Sequence, residues 1–265
     1  MNLTPTTEPH DLAGMEHWDG VWAVAPRRPL SPRSYYTRRL DEVFSRYLRP
    51  GAAVFEAGAG GSRWLPYLAT RFSCRVNGMD YSEPGVRAAR EHLRQAGVAG
   101  TVTLGNVLEP HPDLERQFDL VWSAGLIEHF DDPARVVGGL ARFLRPGAVM
   151  VTLVPNLQGA VGRLHRVVDA AVYRMHRVLD PADLDRAHTA AGLVPVEPAA
   201  YFGVFSLGVA NWSRLRFRLP RWLDGLFWSS VLGTQQLVCG VASVLGVRPE
   251  SRTFSPYVVG VYRRP

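Results

Sequence analysis

AVFEAGAGGS, residues 53–62, ends an apolar run on an acid, Glu56, and then sets Gly58, Gly60 and Gly61 ahead of Ser62. Glycines after a short apolar run let backbone approach a ligand closely, because no Cβ stands in the way. Outward from this turn, apolar runs predict strands over Ala53–Glu56, Arg75–Asp80, Val102–Gly105, Phe118–Ser123 and Ala148–Val154. Between them, spacing predicts helices over Ser62–Phe72, Glu83–Ala96, a short stretch near Leu114, and Pro133–Leu144. Strands alternating with helices imply an α/β fold, a parallel sheet covered on both faces. Ligands of such sheets sit beyond the carboxyl ends of the strands, at the point where strand order reverses. The 53–62 turn falls at such an end.

The residue types narrow the ligand. A dinucleotide fingerprint needs G-x-G-x-x-G, but Arg63 stands where the third glycine belongs. A phosphate-binding loop ending in G-K-[S/T] needs a lysine, and the chain has none. Glu56 would also repel a pyrophosphate brought against the turn, which disfavours a nicotinamide-dependent oxidoreductase. A carboxylate there suits a cationic cofactor instead, through charge-assisted contacts made directly or through water. The next strand ends at Asp80, whose carboxylate can accept both hydroxyls of a ribose. The third ends at Gly105–Asn106–Val107, an amide and an apolar side chain fit to flank an adenine, and the fourth opens into Ser123–Phe130 as a pocket floor.

With VFEAGAGGS, NGMDYS, LGNVLEP, FDLVWSAGLIEHFDDP and FLRPGAVMVTLVPN in that order, roughly residues 50–156 resemble the class I S-adenosylmethionine-dependent methyltransferases. The resemblance is to the small-molecule type that includes quinone-biosynthesis enzymes, and LDPADLDRAHTAAGL resembles the helix before that family's sixth strand. It implies a Rossmann-like seven-stranded sheet of order 3-2-1-4-5-7-6 with an antiparallel last strand. It places Glu56, Gly58 and Gly60 beside the methionyl part, Asp80 on the ribose and Tyr81 beside the adenosine. Asn106 and Val107 would contact adenine, with Asn106 standing where many relatives have Asp, and Ser123 would belong to the floor.

Methyl transfer is an in-line displacement that asks mainly for alignment and exclusion of water. Near the pocket, Glu128–His129 is the obvious pair, with His129 a general base, an acceptor-orienting group or a structural residue. Some relatives place a divalent metal on Glu-x-x-Glu-His, but here Gly125 stands at the first position, leaving two ligands where a hard cation needs more oxygens. No metal is therefore expected. His165 and His176 lie eleven residues apart on an expected lid helix over 157–179, close to three turns, and could share a face over the acceptor. Trp18, Trp22, Tyr35 and Tyr36 precede the first strand, on an N-terminal helical cap (1–49) that either folds over the cofactor or packs on the core; a helix is expected over Ser31–Leu48.

The core is expected over 50–203, with a helix at Pro181–Ala191 capped by Gly192 and a strand beginning at Leu193–Val196; the final strand, Pro256–Tyr262, falls in 249–265. Between them lies a hydrophobic insertion, 204–248, within which Gly225–Val247 carries no charge. Its glycines and glutamines oppose a spanning helix; a pocket wall, a homodimer contact or a peripheral membrane contact remain. Hydrophobic content of 46% with 20% charged residues describes a globular chain with a sizeable core. The net charge of +6 is all arginine, spread without a nucleic-acid stripe, so no specific nucleic acid is expected. Two unpaired-looking cysteines, Cys74 and Cys239, and a start without a basic-then-apolar leader predict a cytoplasmic protein with a flexible lead-in, membrane association through the insertion left open. The expected function is methyl transfer to oxygen or nitrogen of a small or medium lipophilic metabolite. Carbon methylation of an isoprenoid or quinone-like precursor, or a noncatalytic scaffold keeping the fold, are the alternatives.

Overall fold

A computed structural model describes residues 9–23, 28–204 and 250–265, with isolated helical positions at 233, 237, 240 and 241. Most of the 204–248 insertion and the first eight residues lie outside the described residues. Seven strands form one sheet: β1 (Ala53–Ala57), β2 (Arg75–Asp80), β3 (Gly100–Leu104), β4 (Phe118–Ala124), β5 (Leu144–Pro155), β6 (Val194–Phe202) and β7 (Tyr257–Arg263). Their order is β3-β2-β1-β4-β5-β7-β6. β1 to β5 pair in parallel, whereas β7 runs antiparallel to both β5 and β6. The order reverses between β1 and β4, and the glycine turn leaves β1 at that point.

Every residue of β1 is buried, as befits a strand covered on both faces. Phe55 packs on one side with Phe118 and Phe143 at ring separations of 5.0 and 4.5 Å. On the other side Trp122 meets Phe44 of α2 (Tyr35–Tyr47) at 5.1 Å. These are offset and edge-on aromatic contacts of the kind that add to area burial. α3 (Trp64–Phe72), α4 (Glu83–Ala96) and α5 (Pro133–Ala141) link successive strands, and α1 (Met15–Ala23) lies against α4.

Helix α8 (Pro181–Ala190) shows why its sequence stops and starts where it does. Asp180 accepts from the Asp183 amide while Asp183 accepts from the Asp180 amide, a reciprocal cap, with proline in the first turn. Gly192, at φ +80°, closes it with Leu193 N–H donating to the His188 carbonyl. Asp180→Ala is expected to reduce unfolding free energy by about 0.5–2 kcal/mol, measured by urea denaturation.

Three expectations fail on local chemistry. The lid helix over 157–179 is two helices, α6 (Ala160–Val168) and α7 (Ala170–Tyr173). Asp169 breaks it, at φ −144°, ψ 77°, with its side chain capping the Val172 amide; an aspartate offers the backbone a partner that competes with helix. The stretch near Leu114 is a run of turns over 112–116, not a helix; Pro110 and Pro112 at its start restrict the residues before them. The lead-in is held from His10 onward, where Asp11 bridges Phe130 and Leu12 N–H donates to the His129 carbonyl at 2.8 Å.

Candidate active site

The glycine turn itself is saturated. Gly58 and Ala59 N–H both donate to the Met79 carbonyl at 3.0 Å, Gly61 N–H to Gly85 at 2.9 Å, and Ser62 N–H to Ala59 at 3.1 Å. Gly60 N–H donates to Asp80 Oδ2 at 2.7 Å. No amide from Gly58 to Ser62 is left to cradle a phosphate, which is what an anion site at such a turn uses. Gly58 sits at φ +71°, where a side chain would be strained. At Gly60 a Cβ would fall 2.4 Å from Trp22 Nε1 and 2.9 Å from Asp80 Oδ2, so the indole of α1 lies directly over the turn.

Two carboxyls face the cavity that opens here. Glu56 is buried, and Ser62 Oγ donates to its Oε2. Burial pushes the Glu56 carboxyl up to about 8, opposed by the Ser62 hydrogen bond and raised further by Asp80. Asp80 is also raised by burial, though its oxygens accept from the Ser82 amide at 2.8 Å and from Gly60. Tyr81 donates to Asp11 Oδ2 and Ser82 Oγ to Asp19 Oδ1, both at 2.6 Å, tying the N-terminal segment to the end of β2.

The cavity measures about 560 Å³. Its one end is lined by Glu56, Gly58, Gly60, Asp80, Tyr81, Asn106 and Val107, and its other by Glu128, His129, Phe130, Leu157, His165, His176 and Tyr257, with Trp18 and Trp22 alongside. Asn106 Oδ1 accepts from the Leu108 amide at 3.0 Å and its carbonyl meets His111 Nε2, so the side-chain oxygen is already committed locally. Ser123 is not on the floor. Strand alternation turns it inward with Val121, fully buried and with its hydroxyl lacking a partner, while Ala124 and Gly125 line the cavity. Tyr35 and Tyr36 also stand outside the cavity wall. Tyr36 donates to the Val204 carbonyl and packs edge-on behind Tyr257 at 5.7 Å.

His165 and His176 do reach the cavity, though not as neighbours on one helix; α6 carries the first and the segment after α7 the second, their rings 5.9 Å apart. His129 and His176 approach to 4.2 Å. His129 Nδ1 meets the Met175 carbonyl at 2.9 Å and His176 Nδ1 the Val172 carbonyl at 2.8 Å. Burial and the neighbouring His176 hold the His129 imidazole down, to about 3. It is a neutral ring whose free Nε2 presents a lone pair. Residues that sequence spacing did not assign to the site come from far along the chain: Tyr257 on β7 and Leu157 after β5. Glu128, read only as the companion of His129, is buried, and burial pushes its carboxyl up to about 8, opposed by hydrogen bonds from the backbone at Glu128 and Leu126.

Residues 55–152 match the family model described as a methyltransferase domain. The part of the chain that carries the glycine turn and β1 to β4 is thus similar to a methyltransferase domain. A curated relative named ubiquinone biosynthesis O-methyltransferase, from Hahella chejuensis, is 30% identical over 148 residues, 56% of this chain and 59% of that protein. One of the same name from Thiobacillus denitrificans is 31% identical over 133 residues, 49% of this chain and 53% of that protein. The chain thus spans little more than half the length of the curated relatives it matches. Among solved structures, a Haloferax volcanii putative methyltransferase in complex with the Trm112 activator superimposes with a TM-score of 0.60 at 18% identity, covering 94% of this chain and 97% of that one. A Galdieria sulphuraria putative sarcosine dimethylglycine methyltransferase gives 0.57 at 17%, covering 88% and 85%. These likenesses establish the fold alone. No helix among the described residues is long and apolar enough to cross a membrane.

Proposed function

We propose that the protein transfers the methyl group of S-adenosylmethionine to an oxygen, or failing that a nitrogen, of a small or medium lipophilic metabolite. One observation carries this: a single cavity joins the acid-and-glycine end at Glu56, Gly60 and Asp80 to a histidine-lined, aromatic end. Glu56 would meet the cofactor's ammonium, Asp80 its ribose, and Asn106 and Val107 its adenine. The acceptor lies at the far end, where apolar walls favour an apolar body and a few polar groups fix its orientation. When bound, the cofactor would supply an electrophilic methyl group, whose bond to sulfur would break as the acceptor lone pair forms the new one, the departing pair staying on sulfur as a neutral thioether. An acceptor hydroxyl hydrogen-bonds His129 Nε2. Once methylated it is an oxonium, far more acidic than an imidazolium, so even this weakly basic ring takes the proton. The name shared by the two curated relatives supports oxygen over carbon as the acceptor atom.

Calorimetry tests the reading. Micromolar binding of S-adenosylmethionine or of its demethylated product is expected, and absence of binding of both defeats it. The pH dependence is a sharper check on Glu56. Free, its carboxyl titrates near 8; a bound cation lowers that value, so binding at pH 7 expels a proton. Affinity should therefore rise with pH up to about 8 and level off above it, by at most about tenfold per unit. Glu56→Gln should flatten the profile.

A further inference from the structure

We propose that Arg63, Thr37 and the first turn of α2 form a binding site for the anionic group of an amphipathic organic acid. They line a space of about 410 Å³ outside the main cavity, with which it shares only Arg63, Trp64 and Tyr257. Among the described residues Arg63 has no carboxylate partner, and its Nη1 donates only to the Arg28 carbonyl, at a long 3.4 Å. It also stands at the start of α3, where a positive charge opposes the helix dipole, and the first turns of α3 and α2 hold no acid to offset it. None of the described residues lining the space is acidic either. Ser34, of a type that usually caps a helix, makes no side-chain bond to the first-turn amides of α2. Thr37 in that turn is 3% exposed and lines the space, yet its hydroxyl has no hydrogen-bond partner among the described residues. A hydroxyl left so, beside an uncapped helix start and a guanidinium without a carboxylate, completes a donor set that an oxyanion takes up.

The site rests on fixed parts. Trp64, the residue after Arg63, meets the rings of Phe44 and Trp122 at 5.6 and 5.9 Å, which anchors the start of α3 to the core. Leu40 of α2, Leu153 of β5 and Phe202 of β6 add apolar wall to the space. A bare inorganic anion would leave that wall wet, whereas an acid with a hydrocarbon or aryl body covers it. A planar carboxylate also matches the guanidinium fork with two parallel bonds. The cofactor's own carboxylate is a different case. It would sit one carbon from the ammonium at Glu56, inside the main cavity, whereas Thr37 lines only the outer space. Because Arg63 and Tyr257 belong to both spaces, one molecule can hold its acid here and its reacting oxygen at the His129 end. That placement rests on the proposed methyl transfer and narrows its acceptor to an amphipathic acid; the binding itself does not depend on it.

Decanoate and 3-phenylpropanoate, titrated calorimetrically into the purified full chain with and without S-adenosylhomocysteine, test the site. Each should bind about tenfold or more tighter than the matching alcohol, the worth of a hydrogen bond to a charged group. Arg63→Gln should abolish that preference. Thr37→Val keeps the shape but loses the hydroxyl, and should weaken both acids by about fivefold with little effect on the alcohols. Arg63 is only half-buried, so Arg63→Gln should unfold at the wild-type midpoint and keeps the test decisive if Thr37→Val fails to fold. Equal affinity for acid and alcohol, or an acid preference that survives Arg63→Gln, overturns the site. Displacement of both acids by equimolar inorganic phosphate also overturns it, in favour of a small-anion site. Loss of S-adenosylmethionine binding in Arg63→Gln with acid binding unchanged overturns it too, and gives the guanidinium to the cofactor's carboxylate. Cofactor binding without an acid preference defeats the anion site alone, and an acid preference without cofactor binding supports the site while defeating the proposed methyl transfer.

Discussion

Replacing His129 with alanine is expected to slow methyl transfer by about 100-fold or more while leaving S-adenosylmethionine affinity close to wild type. The split follows from position. His129 lies at the histidine-lined end of the cavity, with Trp18 edge-on at 4.8 Å and His176 at 4.2 Å, whereas the carboxyls of Glu56 and Asp80 belong to β1 and β2. Its ring is neutral, fixed through Nδ1 on Met175, and offers Nε2 to whatever occupies the cavity. Losing that lone pair misplaces the acceptor oxygen and leaves its proton without a recipient, and both effects fall on kcat. Removing the ring also frees the Met175 carbonyl, so the thermal midpoint of the variant must be followed alongside. A folded variant that binds cofactor and turns over at the wild-type rate would make His129 a structural prop for the 175–177 segment.

The acid-and-glycine end of the cavity was legible in the sequence because its signals are local. Glu56, Gly58 and Gly60 fall within one turn, and Asp80 ends the adjacent strand, so strand alternation and the parallel order alone bring them together. The histidine-lined end was not, because its members meet only through the fold. His176 lies on a segment whose direction is set by Asp169, and a helical reading of 157–179 carries it past that break. Trp22 reaches Gly60 only because Asp11 and Asp19 fasten the N-terminal segment to Tyr81 and Ser82. Ser123 shows the opposite error. It sits in the right motif, but the two-residue period of β4 turns it into the core, one position short of the cavity.

Asp80→Ala is the second large effect, an expected loss of about 1.5–3 kcal/mol in cofactor binding, or roughly 10–150-fold, the worth of hydrogen bonds to a charged group. The carboxylate does two things at once. Oδ2 holds the Gly60 amide at 2.7 Å and Oδ1 the Ser82 amide at 2.8 Å, which fixes the turn and the start of α4. Each oxygen keeps a second lone pair, and two adjacent ribose hydroxyls are the donors that match them. Asparagine is no conservative replacement here. Both backbone partners are donors, so whichever way the amide turns, its NH₂ faces an N–H, and Asp80→Asn should bind scarcely better than the alanine variant. The ribose role and the turn-holding role separate in the ligand rather than in the protein. A cofactor analogue lacking the 2′-hydroxyl should lose affinity against wild type and lose almost nothing further against Asp80→Ala. Equal losses in both proteins would assign Asp80 to the turn alone and move ribose recognition elsewhere in the cavity.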